Sequence, residues 1–135
     1  MRALYSTKHS AVAVNAALFV LRLGLGILIM KHGYDKIVNF DSLQYKFMNF
    51  LHLGSKISLV LVIFAEFFCG ILIILGLFTR FATVPLIVAM CVALFVSHNA
   101  DFFGKGEASA LYLTGFVALL FAGPGRISVD RIIAK

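Results

Sequence analysis

Arg22-Leu-Gly-Leu-Gly-Ile-Leu-Ile-Met-Lys-His-Gly-Tyr-Asp-Lys36 closes a long apolar run, yet it carries a guanidinium well inside and a His-Gly-x-x-Lys cluster at its exit. On a helix starting near Val14, Arg22 lies about 12 Å along, at a rise of about 1.5 Å per residue. A charge at that depth in hydrocarbon needs a partner, a wet cavity or a route to the headgroups. The stretch therefore reads as part of a membrane-spanning helix whose charge must be answered elsewhere in the chain.

Composition supports the membrane. Of 135 residues, 61% are hydrophobic and 13% charged, and the mean hydropathy is +1.01. A soluble domain of this size needs more polar surface, so the excess faces a bilayer. The length fits a single domain, 1–135. The net charge of +6 does not mark a nucleic-acid binder, because the basic residues flank apolar runs and form no block. That placement suits headgroups and topology. Cys69 and Cys91 lie in separate apolar segments with no Cys-x-x-Cys, which excludes a dithiol redox motif and a zinc ribbon. A disulfide between them is conceivable, but they read more simply as two small buried hydrophobes. The first apolar run lacks an Ala-x-Ala-like site and is too long for a signal peptide, so it is expected to stay.

Four spans follow, at about 14–38, 57–77, 81–99 and 108–122. Gly24, Gly26 and Gly33 in the first argue for close helix packing. Between the first two spans, Asp41 or Ser42 can cap a helix, and Leu43, Phe47, Phe50 and Leu51 recur at helical spacing. This predicts a short interfacial amphipathic helix ended by Gly54. Gly76 to Arg80 reads as a tight turn, and Pro85 as a residue in or near the first turn of the third span. Gly123-Pro-Gly125 stops the fourth span, and a short segment capped by Ser128 or Asp130 follows. The expected fold is an all-α bundle of four transmembrane helices with both termini on one side. Basic residues divide almost evenly between the two faces. The short turn at Arg80 and the basic tail of Arg126, Arg131 and Lys135 place both termini in the cytoplasm of a bacterial inner membrane.

Glu66 is the one acidic residue in the interior of any other apolar segment. Measured from its own end, it lies about 16 Å deep, close to the depth of Arg22 on an antiparallel neighbour. A buried Arg22–Glu66 ion pair is therefore predicted, serving either chemistry or helix locking. Topology also gathers His32, Asp35 and Lys36 with His98, Asp101 and Glu107 at one membrane face. Among these, His32, Lys36, His98 and Asp101 form a predicted polar mouth. Two histidines with carboxylates nearby can hold a metal or relay protons; the plainer reading is a set of interfacial groups. Their spacing matches no standard ligand motif, so no metal is assigned. There is no Gly-x-Gly-x-x-Gly, Walker loop, serine elbow or histidine pair for haem within one span, and no cofactor derives from spacing.

These residues, in this order, resemble the DoxX family of small four-helix bacterial membrane proteins. The matching stretches are Leu21-Arg-Leu-Gly-Leu-Gly26 running into His32-Gly-Tyr-Asp-Lys36, then Glu66-Phe-Phe-Cys-Gly-Ile-Leu-Ile-Ile-Leu-Gly76 with Thr79-Arg80. His98 and Gly123-Pro-Gly-Arg-Ile-Ser-Val-Asp130 complete the set. The resemblance runs from about residue 18 to 132. It implies the four-helix fold, a membrane location and a redox association, since relatives include a subunit of thiosulfate:quinone oxidoreductase and proteins linked to oxidative-stress complexes. The function expected on that footing is a subunit or accessory of a quinone-linked redox system. Quinone is the implied cofactor, and the bilayer and the proteins of a membrane complex are the implied partners. Whether the chain itself catalyses a reaction is left open. A purely structural or assembly subunit is the competing class, and a small transporter is a third, against which the lack of repeats and broken helices argues.

Overall fold

The computed structural model describes Arg2–Lys135, and every regular element among these residues is helical. Long apolar stretches leave the backbone no water to bond, so it satisfies its own amides and carbonyls as helix. Helix α1 (Ala11–Val38) begins at Ser10, whose hydroxyl accepts from the Ala13 amide at 3.1 Å. It ends where the Asn39 side chain donates back to the Asp35 carbonyl. A single turn, α2 (Phe40–Leu43), follows. Then come α3 (Ser55–Leu75) and α4 (Thr79–Ser97), α5 (Glu107–Ala122) and α6 (Val129–Ile133). Helices α1, α3 and α4 are long and apolar enough to cross a bilayer. Helix α5 is also apolar but has 16 residues, about 24 Å at standard rise.

Glycine sets how closely α1 and α3 approach. A Cβ on Gly26 would lie 2.6 Å from Ile74 and 3.1 Å from the Gly70 carbonyl, and one on Gly33 would lie 2.6 Å from the Phe67 amide nitrogen. Only hydrogen at these positions lets the two backbones meet. The order of these contacts makes the helices antiparallel. Helix α3 also lies against α4, α4 packs along α5, and α1 closes the ring against α5. The core between them includes Ile29, Cys69, Ile73, Leu86, Phe116 and Leu119. Cys69 and Cys91 are both free thiols.

The connection between α1 and α3 departs from the expected amphipathic helix. Helix α2 has four residues and is preceded by Asn39, not capped by Asp41 or Ser42. Beyond it Asn49 is extended, and Leu51 and His52 adopt left-handed backbone with φ of 51° and 59°. A right-handed helix cannot run through such residues. Phe47 and Met48 consequently turn inward and are half-buried, and Gly54, with φ of 95°, precedes α3 instead of ending a helix. Pro85 is also placed differently. Helix α4 starts at Thr79, two residues before Phe81, so the proline falls in its second turn.

Gly76 ends α3 with φ of 68°, and the Leu77 amide returns to the Leu72 carbonyl at 3.0 Å. Glycine takes this left-handed cap without strain. The chain after Gly123 folds back over the same end of the bundle. The Arg126 amide donates to the Asn15 side-chain oxygen at 2.6 Å, and Ser128 caps α6 by accepting from the Arg131 amide. The Asp130 amide donates to the Gly76 carbonyl at 2.9 Å. Its carboxylate accepts from the Phe78 and Thr79 amides at 2.7 and 2.9 Å. Asp130 therefore caps α4 from a distant part of the sequence. Burial alone would raise its pKa, but the amides of Thr79 and Phe78, with the charge of Arg22, outweigh burial and hold the carboxyl below its ordinary value.

Candidate functional site

Arg22 is 1% exposed and Glu66 5% exposed, but the two do not meet, and the predicted ion pair is corrected. The glycine contacts fix the register of α1 on α3, and they set Arg22 beside Gly76, where a Cβ would collide with its Nη1. Ten residues, or about 15 Å, separate that level from Glu66. Taking the two helices to start at one membrane edge misplaced them. Instead α1 begins at Ala11 and overhangs the end of α3, and the C-terminal segment packs on the overhang. Arg22 accordingly donates through Nη2 to the Ile127 carbonyl, and its guanidinium lies over the Phe19 ring at 5.7 Å.

Glu66 pairs with Lys36: the ammonium donates to Oε2 at 2.5 Å. The pair stands in a cavity of about 380 Å³ at the far end of the bundle from Arg22. Helix α1 contributes Ile29, His32 and Lys36, one helical face at spacings of three and four. Helix α5 brings Ser109 and Tyr112, and the segment before it Lys105. Helix α4 adds Met90, Ala93 and Ser97, with His98 just past its end, while Phe47 and Met48 close over the top. The His32 ring meets Tyr112 edge-on at 5.9 Å, and Tyr112 stacks on Phe116 at 6.0 Å. Both rings are thereby held in place.

Two breaks in regular helix shape this cavity. Phe64–Cys69 of α3 and Val92–Ser97 of α4 are π-helical. A π turn accommodates an extra residue and rotates the side chains around it, and such turns are frequent at functional sites. One carries Glu66; the other leads directly into His98.

Of the predicted mouth residues, His32, Lys36 and His98 come together in the cavity wall. Asp101 does not, and that placement is corrected. It organises the connection to α5: its carboxylate accepts from the Lys105 amide at 3.1 Å, and its carbonyl from the Gly106 amide at 2.9 Å. Sequence reasoning missed Tyr112, Ser109 and Lys105. The available signal was a tyrosine within an apolar helix, whose hydroxyl wants a polar neighbour. Among the described residues no three His, Cys, Asp or Glu side chains gather closely enough to hold a metal ion. The chemistry on offer is a positive and proton-bearing set of donors, Lys36, Lys105, His32, His98 and Tyr112, around one buried carboxylate.

Comparison with known proteins identifies the family. Residues 17–99 match the model of the DoxX family. The uncharacterized membrane protein Rv3486 of Mycobacterium tuberculosis is 36% identical over 84 residues, 52% of each chain, so this chain spans about half of that relative's length. The inner membrane protein YqjF of Escherichia coli is 28% identical over 127 residues, covering 90% of this chain and 95% of the relative. No solved structure matches the chain.

Proposed function

The chain belongs to the DoxX family, and on that footing we propose that it is a membrane subunit of a quinone-linked redox system, with the cavity around Lys36 and Glu66 as its quinone site. The observation that carries this reading is a buried carboxylate whose partly exposed lysine partner opens onto a cavity instead of being sealed in the core. A volume of about 380 Å³ falls in the range of small-molecule sites, about 300–1,000 Å³. Apolar walls at Ile29, Val62 and Met90 suit a flat ring, and the donors suit its carbonyl oxygens. A bound quinone supplies an acceptor for two electrons and two protons. The chain's own residues bind and orient it. Lys36 and Tyr112 donate hydrogen bonds, Glu66 fixes the ammonium in place, and His32 and His98 can hold and pass protons. Electrons come from a partner protein of the complex.

In this proposal α5 crosses the bilayer with α1, α3 and α4, giving four spans. Both termini face the cytoplasm of a bacterial inner membrane. Arg80 reaches the Phe121 carbonyl, so its short turn and the basic tail lie at one end, which this proposal takes as the cytoplasmic one. The Escherichia coli relative is an inner membrane protein, which fits that location. Extraction of the protein in native lipid, followed by analysis of bound quinone and co-purifying proteins, tests the proposal. Quinone in stoichiometric amount with a redox partner supports it; the absence of both quinone and partner refutes it.

A further inference from the structure

We propose that the site continues into a second cavity, which takes the hydrocarbon chain of a membrane amphiphile whose head group lies beside Lys36 and Glu66. This rests on the polar cavity being a ligand site and deepens that reading by naming the ligand class. A pocket of about 290 Å³ adjoins the polar cavity, and Phe47, Met48, Val62, Ala89 and Val92 line both. Beyond this shared rim the wall is built by Leu61 and Phe64 of α3 and by Val84, Pro85 and Val88 of α4.

The chemistry changes sharply across the rim. One side presents Lys36, Glu66, His32 and His98. On the other, Ser58 is the one hydroxyl-bearing wall residue, and its proton is committed. It donates to the Gly54 carbonyl at 2.7 Å and accepts from the Phe50 amide at 2.9 Å. A molecule filling both cavities must therefore be polar at one end and hydrocarbon along the rest. Leu61, Phe64, Val84 and Val88 are exposed on the outer surface of α3 and α4, so the chain enters sideways from the bilayer. Met48 stands at the junction, where its sulfur accepts from the Ser97 hydroxyl at 3.0 Å. An unbranched, adaptable side chain suits a place where ligands of varied shape pass. Lipid is as apolar as the cavity, so the chain gains little by leaving it. Its contribution is to orient the head group.

The test uses the full chain in lipid nanodiscs with two photoreactive probes. One is a benzoquinone bearing a decyl chain with a mid-chain diazirine; the other is a fatty acid with the diazirine at matching depth. Mass spectrometry locates the labelled residues. The quinone probe is expected to label Phe64, Val84 and Val88 about tenfold above the lipid-exposed Ile27 and Phe121, with labelling removed by excess chainless benzoquinone. Val88→Trp, in the exposed outer wall and away from the core, is expected to cut the labelling of Phe64 and Val84 about tenfold. Selective labelling by the fatty acid alone sustains the chain cavity and defeats the quinone reading. Competition-sensitive binding of chainless quinone, with even labelling of the lipid face by both probes, overturns the chain cavity and leaves the quinone reading standing. Even labelling with no quinone binding overturns both.

Discussion

The Lys36 ammonium lies 2.5 Å from the Glu66 carboxylate and ties the last turns of α1 to the π-helical turn of α3. The two side chains are 23% and 7% exposed, so the carboxylate has surrendered most of its water. Removing one partner of a fully buried pair costs about 3–5 kcal/mol, because the other is left charged and unpaired. The partial exposure of Lys36 lowers the expectation to about 2 kcal/mol for Lys36→Met or Glu66→Gln. The double variant is expected within about 1 kcal/mol of the parent, since both desolvation costs disappear together. Equilibrium unfolding of all four proteins in mild detergent measures this cycle. Strictly additive losses would show that the pair is not coupled.

Asp130 makes stability depend on acid in a stated direction. Its native pKa lies below the ordinary 3.8, so between the two values the unfolded chain binds more protons and stability rises with pH. The stabilisation is complete above the ordinary value and is lost as pH falls through the native one. Asp130→Ala, which uncaps α4, is expected to cost about 1 kcal/mol at neutral pH. As pH falls through the lowered native value, the variant and the parent should converge. A difference that persists unchanged into acid would remove Asp130 as the source.

Arg22 is expected to govern the C-terminal segment and not the cavity. Arg22→Met deletes the donor to the Ile127 carbonyl and the charge facing Asp130. Faster amide exchange is expected at Ser128 to Arg131, with protection around Gly33 and Phe67 retained. Exchange rising around Glu66 instead would revive the Arg22–Glu66 pairing.

Two glycines of α1 should respond oppositely. A Cβ on Gly33 would press on the Phe67 backbone, whereas one on Gly24 meets nothing within 4 Å. Gly33→Ala is expected to lose about 2 kcal/mol by prising α1 from α3. Gly24→Ala should be neutral or gain up to about 1 kcal/mol of helix propensity. Thermal unfolding of the two variants side by side settles the register of the pair.

The sequence made the helices legible because hydrocarbon allows few alternatives: apolar runs of α1, α3 and α4 length have to be helix. The gathering of His32, Lys36 and His98 followed from topology, since the ends of successive spans return to the same faces. What sequence could not supply was registry. Arg22 and Glu66 seemed level only while α1 and α3 were assumed to share an edge, and the glycine contacts that offset them appear only once the helices are docked. The π turns around Glu66 and before His98 leave no residue signature either. Asp101 was misread because a short loop consumed it, its carboxylate accepting from the Lys105 amide. Leu43, Phe47, Phe50 and Leu51 have a helical pattern, but left-handed residues at Leu51 and His52 broke it.

Equilibrium binding of a short-chain benzoquinone to the purified protein in nanodiscs tests the central claim most directly, comparing the parent with Lys36→Met/Glu66→Gln. The double variant is expected to keep its fold, so a change in affinity reports on the site. Saturable binding by the parent, weakened about 100-fold in the variant, is predicted; that loss corresponds to the one charge-assisted hydrogen bond from Lys36 to the head group, about 1.5–3 kcal/mol. Equal affinity in the two proteins, or no saturable binding by the parent, would contradict the assignment of the Lys36–Glu66 cavity as a quinone site.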